Sequence, residues 1–391
     1  MEKKRLVWLS DGPNLTTGYS TISRKMLNYL SETGKYDIHY LAHTMNSQTL
    51  MPGVKLEDGE EFKFTVHGNG MQPYCFDIMS PKIKELKADV FGILLDTFML
   101  YPHFLNIDTS PAKTLFYFPS DGARFPTGCE NILRKIDKPV AMSLYAQKQV
   151  KDLYGINAEY IPHAVETDVY KPLTDQEKLI LKAKYGFNGK FIIGCVARNQ
   201  GRKMLDRMLP AFKLVADQMP NAILLFHSDK TDPASYFNFD DIINYYGLNN
   251  RVFFTGTKYF KGFDYKKMNE IYNLMDLFFL STSGEGFGIP TIEAMSAGIP
   301  VLITDYTTTE ELVTRNKSGE AIKLSTEILG NWGVFRGVMD IQDAAEKILK
   351  LYRDPILRKQ YGMNGREAVL REYNWPTVAK QWDNLISDLS K

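Results

Sequence analysis

The chain has 391 residues, 44% of them hydrophobic and 24% charged, with a formal net charge of +1. At roughly 150 residues per domain this predicts two domains, or three, with ample material for buried cores. The near-neutral balance gives no global reason for nucleic-acid binding. Three scattered cysteines (Cys75, Cys129, Cys195) argue against a disulfide framework and for a reducing, cytoplasmic setting.

The chain starts "MEKKRLVWLSDG". Its apolar run of about five residues is too short for a signal peptide and reads as a first buried strand. No run of about 18 apolar residues predicts a membrane span; peripheral contact at the inner face of a membrane stays open. A loop with Gly12 and Gly18 then leads into a helical pattern at 20–34. It matches neither G-x-G-x-x-G nor G-x-x-x-x-G-K-[ST], so no nicotinamide or ATP site is expected there. Apolar runs follow at 37–42, 89–95, 114–119, 139–143 and 158–162, alternating with amphipathic patterns such as 143–155. That alternation predicts βαβ units and a mostly parallel sheet. Asp121 comes just after the 114–119 run, beside Gly122 and Arg124. It reads either as an Asx turn or as a polar group lining a cleft.

The stretch "IPHAVETDVYKPLTDQEK" (161–178) is polar and aperiodic and reads as an interdomain linker. The alternation then restarts, with strands expected at 191–197, 222–228, 251–256, 276–281 and 300–305. Helices are expected at 204–219, 264–275, 290–298, 341–353 and 375–391. This gives two consecutive doubly wound domains, 1–165 and 166–374, with a last amphipathic helix at 375–391. Open parallel sheets bind ligands at the carboxyl ends of their strands. The aromatic-rich stretch 245–267 can line such a cleft, although core packing accounts for most of its rings.

Two stretches of the second half carry chemistry. In "CVARNQGRKML" (195–205) a strand ends in a basic loop holding Arg198, Arg202 and Lys203. Arginine offers a fork and lysine a point charge to phosphate oxygens; the plain alternative is a solvated loop. In "STSGEGFGIPTIEAMSAGIPV" (281–301), Gly284, Gly286 and Gly288 let a ligand approach main chain closely. Pro290 suits a first helical position. Glu293 is expected in the first turn, where the helix dipole alone would favour it. Free N–H groups at such a start suit anionic ligands, and Glu285 and Glu293 can accept bonds from sugar or ribose hydroxyls. For Glu285 the plain alternative is a solvated carboxylate. His103, His163 and His227 lack metal-ligand spacing, so no protein-held metal is expected. There is no G-x-S-x-G elbow.

In combination, the 281–301 stretch resembles the E-x7-E region of retaining glycosyltransferases of family 4, which have the GT-B fold. "VARNQGRK" resembles that family's G-R-x-x-x-x-K. "IPHAVETDVYKP", "VFFTGT" and "MNEIYNLMDLFFLS" resemble its linker, a strand and its Y-x-x-A-D segment, so the likeness covers most of 155–375 in order. Three departures stand out. Asp121 lies where many members have a histidine, His163-Ala164-Val165-Glu166 replaces Asn-Gly-Val-Asp, and "YTTTEE" (306–311) replaces a glycine pair. The resemblance implies an α/β fold of two Rossmann-like doubly wound domains facing a central cleft, with helix 375–391 packing back on the first. It implies transfer of a hexose from a UDP- or GDP-linked donor to a hydroxyl acceptor (glycan, lipid or small molecule), with no tightly bound cofactor. By the same resemblance Arg198 and Lys203 bind the pyrophosphate and Glu293 the ribose. Glu285 and the main chain of Gly286, Phe287 and Gly288 face the sugar, and Gly18 faces the diphosphate. Thr307 and Thr308 lie near a phosphate, and Asp121 near the transferring carbon. A sugar-nucleotide epimerase, a phosphorylase and a non-catalytic nucleotide-sugar-binding subunit are the alternatives. Oligomeric state is not legible.

Overall fold

The computed structural model describes residues 3–56, 60–258 and 262–391. Met1 and Glu2 of the basic start, and Tyr259, Phe260 and Lys261 of the aromatic stretch, lie outside the described residues. The first half is built on β1 (Lys4–Ser10), β2 (Tyr36–Ala42), β3 (Thr49–Leu50), β4 (Thr65–Gly68), β5 (Val90–Ile93), β6 (Lys113–Phe118), β7 (Lys138–Ala141) and β8 (Glu159–Tyr160). They form one sheet in the order β8-β7-β6-β5-β1-β2-β4-β3. All pairs are parallel except β3 with β4. Helices α1 (Gly18–Glu32) and α2 (Leu144–Tyr154) follow β1 and β7, with Thr17 and Ser143 as their N-caps.

The second half holds β9 (Phe191–Val196), β10 (Ala222–His227), β11 (Val252–Phe254), β12 (Leu277–Leu280), β13 (Val301–Thr304) and β14 (Gly319–Ile322). This sheet is parallel throughout, in the order β11-β10-β9-β12-β13-β14. Helices α3 (Tyr265–Leu274), α4 (Ile289–Ser296), α5 (Pro355–Glu372) and α6 (Trp375–Leu389) belong to this part of the chain. An antiparallel hairpin, β15 (Leu324–Leu329) with β16 (Phe335–Met339), stands apart from both sheets.

Helix α6 lies on the first half. Trp375, Val378, Trp382 and Ile386 are buried at helical spacing. Trp382 meets Trp8 of β1 and Tyr117 of β6 edge-on, at 5.9 and 4.8 Å. Tyr29 of α1 stacks on Trp375 at 5.7 Å. Burial of this kind stabilises by about 2–3 kcal/mol per large side chain.

Every strand expected from an apolar run is present. Two boundaries differ. Of the helix expected over 204–219, only Met208–Val215 is α-helical, flanked by 3-10 turns at Leu205–Arg207 and Ala216–Gln218. A start at 204 would set Pro210 in the helix interior, where it removes a hydrogen bond; a start at 208 sets it in the first turn. The polar stretch 161–178 also holds a helix start. Thr174 and Glu177 form a capping box for Asp175–Lys184.

One buried carboxyl ties the halves together. Glu311, which follows β13, accepts from the Leu144 N–H at 2.7 Å, the first residue of α2, and from the Tyr160 hydroxyl of β8. Burial pushes its pKa up from 4.5 to about 7, against the lowering effect of those two donors. The folded state then holds more protons than the unfolded state between about pH 4.5 and 7, so this group's stability contribution falls as pH rises through that window. The loss is at most about 3 kcal/mol. Glu311→Gln keeps an acceptor and removes the titration. Its melting temperature should decline less than the parent's between pH 5 and 7.5, by thermal denaturation, and equal slopes would refute this account.

Candidate active site

In each sheet the strand order reverses at one place, the crevice where open α/β sheets bind ligands. In the second sheet it lies between β9 and β12. Lys203 follows β9 and Glu285 follows β12, so adjacency of these strands brings together residues far apart in sequence. In the first sheet the reversal lies between β1 and β5, with Gly18 after β1 and Asp96 after β5.

The loop after β12 is zipped to the turn after β9. The Ser283 N–H and hydroxyl donate to the Arg202 carbonyl at 2.7 and 2.8 Å, and the Ser281 hydroxyl to that of Met204 at 2.7 Å. Within this frame the Lys203 ammonium meets Glu285 Oε1 at 2.5 Å, both buried. Arg202 reaches Glu285 Oε2 at 3.4 Å and the Gly284 carbonyl at 3.1 Å. Burial opposes ionisation of Glu285, but Lys203 and Arg202 outweigh it and hold its pKa at about 2. Burial lowers the pKa of Lys203 against the raising effect of Glu285. Glu285 is therefore a buried, paired carboxylate and not a solvated one. Its own N–H donates to the Thr307 hydroxyl at 3.0 Å; Thr308 is buried beside it and its carbonyl accepts from Leu312.

The other expected residues take different positions. Arg198 holds its guanidinium in a two-pronged contact with Asp232 at 2.8 and 3.3 Å. Glu293 is the fifth residue of α4. The helix begins at Ile289, with Pro290 second, so Glu293 lies in the second turn and the dipole argument for it falls away. It is half-buried and receives the Tyr272 hydroxyl at 2.5 Å and that of Tyr170. Burial raises its pKa to about 7, against those donors. Phe287 is buried between His163 and Tyr373. The Nδ1 of His163 lies 2.8 Å from the Tyr117 hydroxyl. Gly288 has φ 112°, the left-handed N-cap of α4.

The first half closes on this loop. A Cβ on Gly286 would lie 2.9 Å from the Pro119 Cβ, and one on Gly18 would lie 3.4 Å from the Ile289 side chain. Asp121 is neither a lone Asx turn nor free. Its carboxylate meets Arg336 of β16 at 2.9 Å and Arg202 at 3.9 Å. Beside it, Asp96 accepts from the Tyr19 hydroxyl at 2.9 Å, and burial together with Asp121 raises its pKa to about 6. The four adjacent strands β6, β5, β1 and β2 thus present Asp121, Asp96, Asp11 and His43 beyond their carboxyl ends, the last two bonded at 2.9 Å. Arg336, Asp96 and Tyr19 are the site residues that sequence reasoning did not single out. Arg202 was read as one cation of the basic loop, without a role of its own. Tyr19 and Asp96 had only a positional signal, following the first and third apolar runs.

Chemically, this is a junction of two loop clusters. One presents the buried Lys203 and the half-buried Arg202 beside a fixed carboxylate and a helix start, the other a row of hydrogen-bond acceptors.

Residues 177–368 match the family described as glycosyl transferases group 1. The chain is similar to mannosylfructose-phosphate synthase of Agrobacterium fabrum, at 23% identity over 260 residues, which cover 64% of this chain and 52% of that protein. It is 25% identical over 274 residues to a GDP-mannose-dependent monoacylated alpha-(1-6)-phosphatidylinositol monomannoside mannosyltransferase of Corynebacterium glutamicum, covering 66% of this chain and 65% of that one. The chain thus spans 52% and 65% of the length of these two relatives. Among solved structures, sucrose-phosphate synthase from Thermosynechococcus elongatus matches with TM-score 0.77 at 16% identity over 99% of both chains. HepE of Anabaena, solved in complex with UDP and glucose, matches with TM-score 0.73 at 14% identity over 98% of this chain and 100% of that one. Residues 177–368 thus match the glycosyl transferases group 1 family, in a chain with the two-Rossmann GT-B fold.

Proposed function

We propose that the protein is a retaining glycosyltransferase of the family 4 type, moving a hexose from a nucleotide-diphosphate sugar to a hydroxyl acceptor without needing a metal. The observation that carries this is the buried Lys203–Glu285 pair with Arg202, set at the strand-order reversal of the second sheet and faced by Asp121 of the first. A fixed carboxylate beside two cations suits a ligand with hydroxyls at one end and a diphosphate at the other. The donor is UDP- or GDP-linked. HepE binds UDP and glucose, and the Corynebacterium relative is GDP-mannose-dependent.

In this reading residues 166–374 bind the donor and residues 1–165 the acceptor, with helix 375–391 crossing back. Lys203 and Arg202 would neutralise the departing diphosphate, with Arg198 as an outer cation and Thr307 and Thr308 at its edge. Glu285 and the main chain of Gly286, Phe287 and Gly288 would hold the sugar hydroxyls. Gly18 would face the diphosphate from across the cleft. Asp121 and Asp96 would accept hydrogen bonds from the acceptor. The bond from the anomeric carbon to the leaving phosphate breaks as the bond to the acceptor oxygen forms on the same face. The acceptor's proton passes to the departing phosphate oxygen, so no side chain is asked to carry it. Cysteines that are all buried and unpaired suit a reducing, cytoplasmic setting. Among the described residues no helix is long and apolar enough to cross a membrane, and contact with a membrane surface is compatible with this reading.

Glu293 would grip the ribose hydroxyls, and that role is separable by experiment. The parent should bind UDP or GDP at least about tenfold more tightly than the matching 2′-deoxynucleotide, by calorimetry, since a lost charged hydrogen bond is worth about 1.5–3 kcal/mol. Glu293→Ala should bind the two alike, at the weaker level. Equal affinity of parent and variant for UDP and GDP would remove Glu293 from the site. The anomeric configuration of the product, read by NMR, tests retention.

A further inference from the structure

The hairpin β15–β16 is outside every motif that carries the family resemblance, yet it touches both sides of the cleft. On the donor side, the Gly337 N–H donates to the Ser283 carbonyl at 3.1 Å. On the other side, Phe335 pairs with Ala123 as an antiparallel bridge, its N–H donating to the Ala123 carbonyl at 2.9 Å. The Tyr306 hydroxyl completes that joint, accepting from the Ala123 N–H and donating to the Phe335 carbonyl, both at 2.9 Å. Arg336 donates to the main-chain carbonyl of Asp121 and pairs with its carboxylate at 2.9 Å.

The tip makes a further contact. Trp332 and Gly333 have φ of 60° and 70°, the two successive left-handed residues of a type I′ turn. Asn, Asp or Gly usually fills the first of these positions, and a tryptophan there is strained. Burial does not hold it there, because Trp332 is 60% exposed. Its ring lies on Phe98 at 4.4 Å with 6° between planes, and Phe98 is two residues beyond Asp96.

We propose that hairpin 324–339 is a strap across the cleft and that Arg336 is its positioning residue, holding Asp121 against the Glu285 loop so that the acceptor side of the site is built. The assignment of an acceptor side rests on the glycosyltransferase reading above. One guanidinium holds both the carboxylate and the main chain of Asp121, fixing side chain and backbone together. A lysine can replace the charge but not the fork. Without Arg336, the cation left to the Asp121 carboxylate among the described ion pairs is Arg202 at 3.9 Å, while its loop keeps the Ala123–Phe335 joint and the bonds of Gln149 to Ser120 and the Gly122 carbonyl. Arg336 is bonded to neither Lys203 nor Glu285, so its loss leaves the donor-side pair in place.

Trp332 reports the strap directly. Trp8, Trp375 and Trp382 are at most 2% exposed, so iodide quenching of tryptophan fluorescence samples Trp332. In Arg336→Gln the quenching slope should rise about 1.5-fold, as the stack on Phe98 opens and the rest of the ring meets solvent. Affinity for UDP and GDP by calorimetry should stay within about threefold of the parent, while the KM for acceptor rises about tenfold or more. Arg336→Lys should fall between parent and Arg336→Gln in quenching. An unchanged slope overturns the strap. Loss of nucleotide affinity as large as in a Lys203 variant overturns the positioning role and makes Arg336 a donor ligand. If Arg336→Gln does not fold, Asp121→Asn is read by the same slope. If the parent binds no nucleotide, the glycosyltransferase reading fails, and the quenching slope still decides the strap.

Discussion

Lys203→Ala should abolish nucleotide binding and lower stability together. Lys203 and Glu285 are both buried and in contact at 2.5 Å. Removing one partner of such a pair costs about 3–5 kcal/mol, because the remaining charge stays out of water. Arg202, at 3.4 Å, offsets only part of this. With halves of about 200 residues the melting temperature should fall by roughly 5–15 °C. Affinity for UDP or GDP should drop by about 100-fold or more, the value of a desolvated charge on a phosphate. Lys203→Met combined with Glu285→Gln separates the two effects. Neutralising both partners leaves neither of them as a lone buried charge, and the part-exposed Arg202 keeps Asp121 at 3.9 Å, so stability should largely return while nucleotide binding does not. The pH dependence gives a further check. Glu285 is held at about 2, below its ordinary 4.5, so its stabilisation is present above about pH 4.5 and is lost as pH falls toward 2. The gap in melting temperature between parent and Lys203→Ala should therefore narrow in acid. A variant that binds UDP and GDP like the parent would remove Lys203 from the site.

The architecture was legible because a parallel sheet covered on both faces writes its strands as short apolar runs. Lys203 and Glu285 were legible for a related reason: each lies in a loop just past such a run. What the sequence could not distinguish was which cation of "RNQGRK" faces inward. The structure separates them by position. Arg202 and Lys203 share one 3-10 turn against the Ser283 loop, while Arg198, just after β9, is taken by Asp232 from beyond β10. Helix α5 was missed because its buried face is not an apolar stripe. It is Gly362, Gly365, Ala368 and Val369, and the two glycines let it lie against α4. A Cβ on Gly362 would come within 2.2 Å of the Gly298 carbonyl oxygen, and one on Gly365 within 3.2 Å of Met295. The strap was invisible for the opposite reason. Ile328, Leu329, Trp332 and Phe335 are exposed, so nothing in their spacing announces a partner across the cleft.

Gly284→Ala should be the most damaging single methyl in the Glu285 loop. Gly284 has φ +149°, a region essentially reserved for glycine, and an alanine forced into it costs about 1–3 kcal/mol. Space is the larger obstacle. The new Cβ would fall 1.9 Å from the Asp121 carbonyl oxygen and 2.9 Å from its carbon, and 3.4 Å from the Arg336 guanidinium. Backbone cannot swing aside as the end of a long side chain can, so the Asp121 loop must move away from the Glu285 loop. A displacement near 1 Å at a reacting centre costs about 100-fold in rate, and transfer should fall by at least that much. Nucleotide binding should fall less, since Lys203 and Arg202 stand on the other loop. Gly286→Ala is the matched control. It adds the same methyl to the same loop, at a position without positive φ, where it meets the Pro119 Cβ at 2.9 Å and the Met142 sulfur at 3.5 Å. The Pro119 Cβ sits on a rigid ring and must give by a few tenths of an ångström, so transfer should fall, but by less than in Gly284→Ala. If the two variants rank the other way, or if Gly284→Ala transfers at the parental rate, then the contact between the Gly284 and Asp121 main chains is not part of the working site.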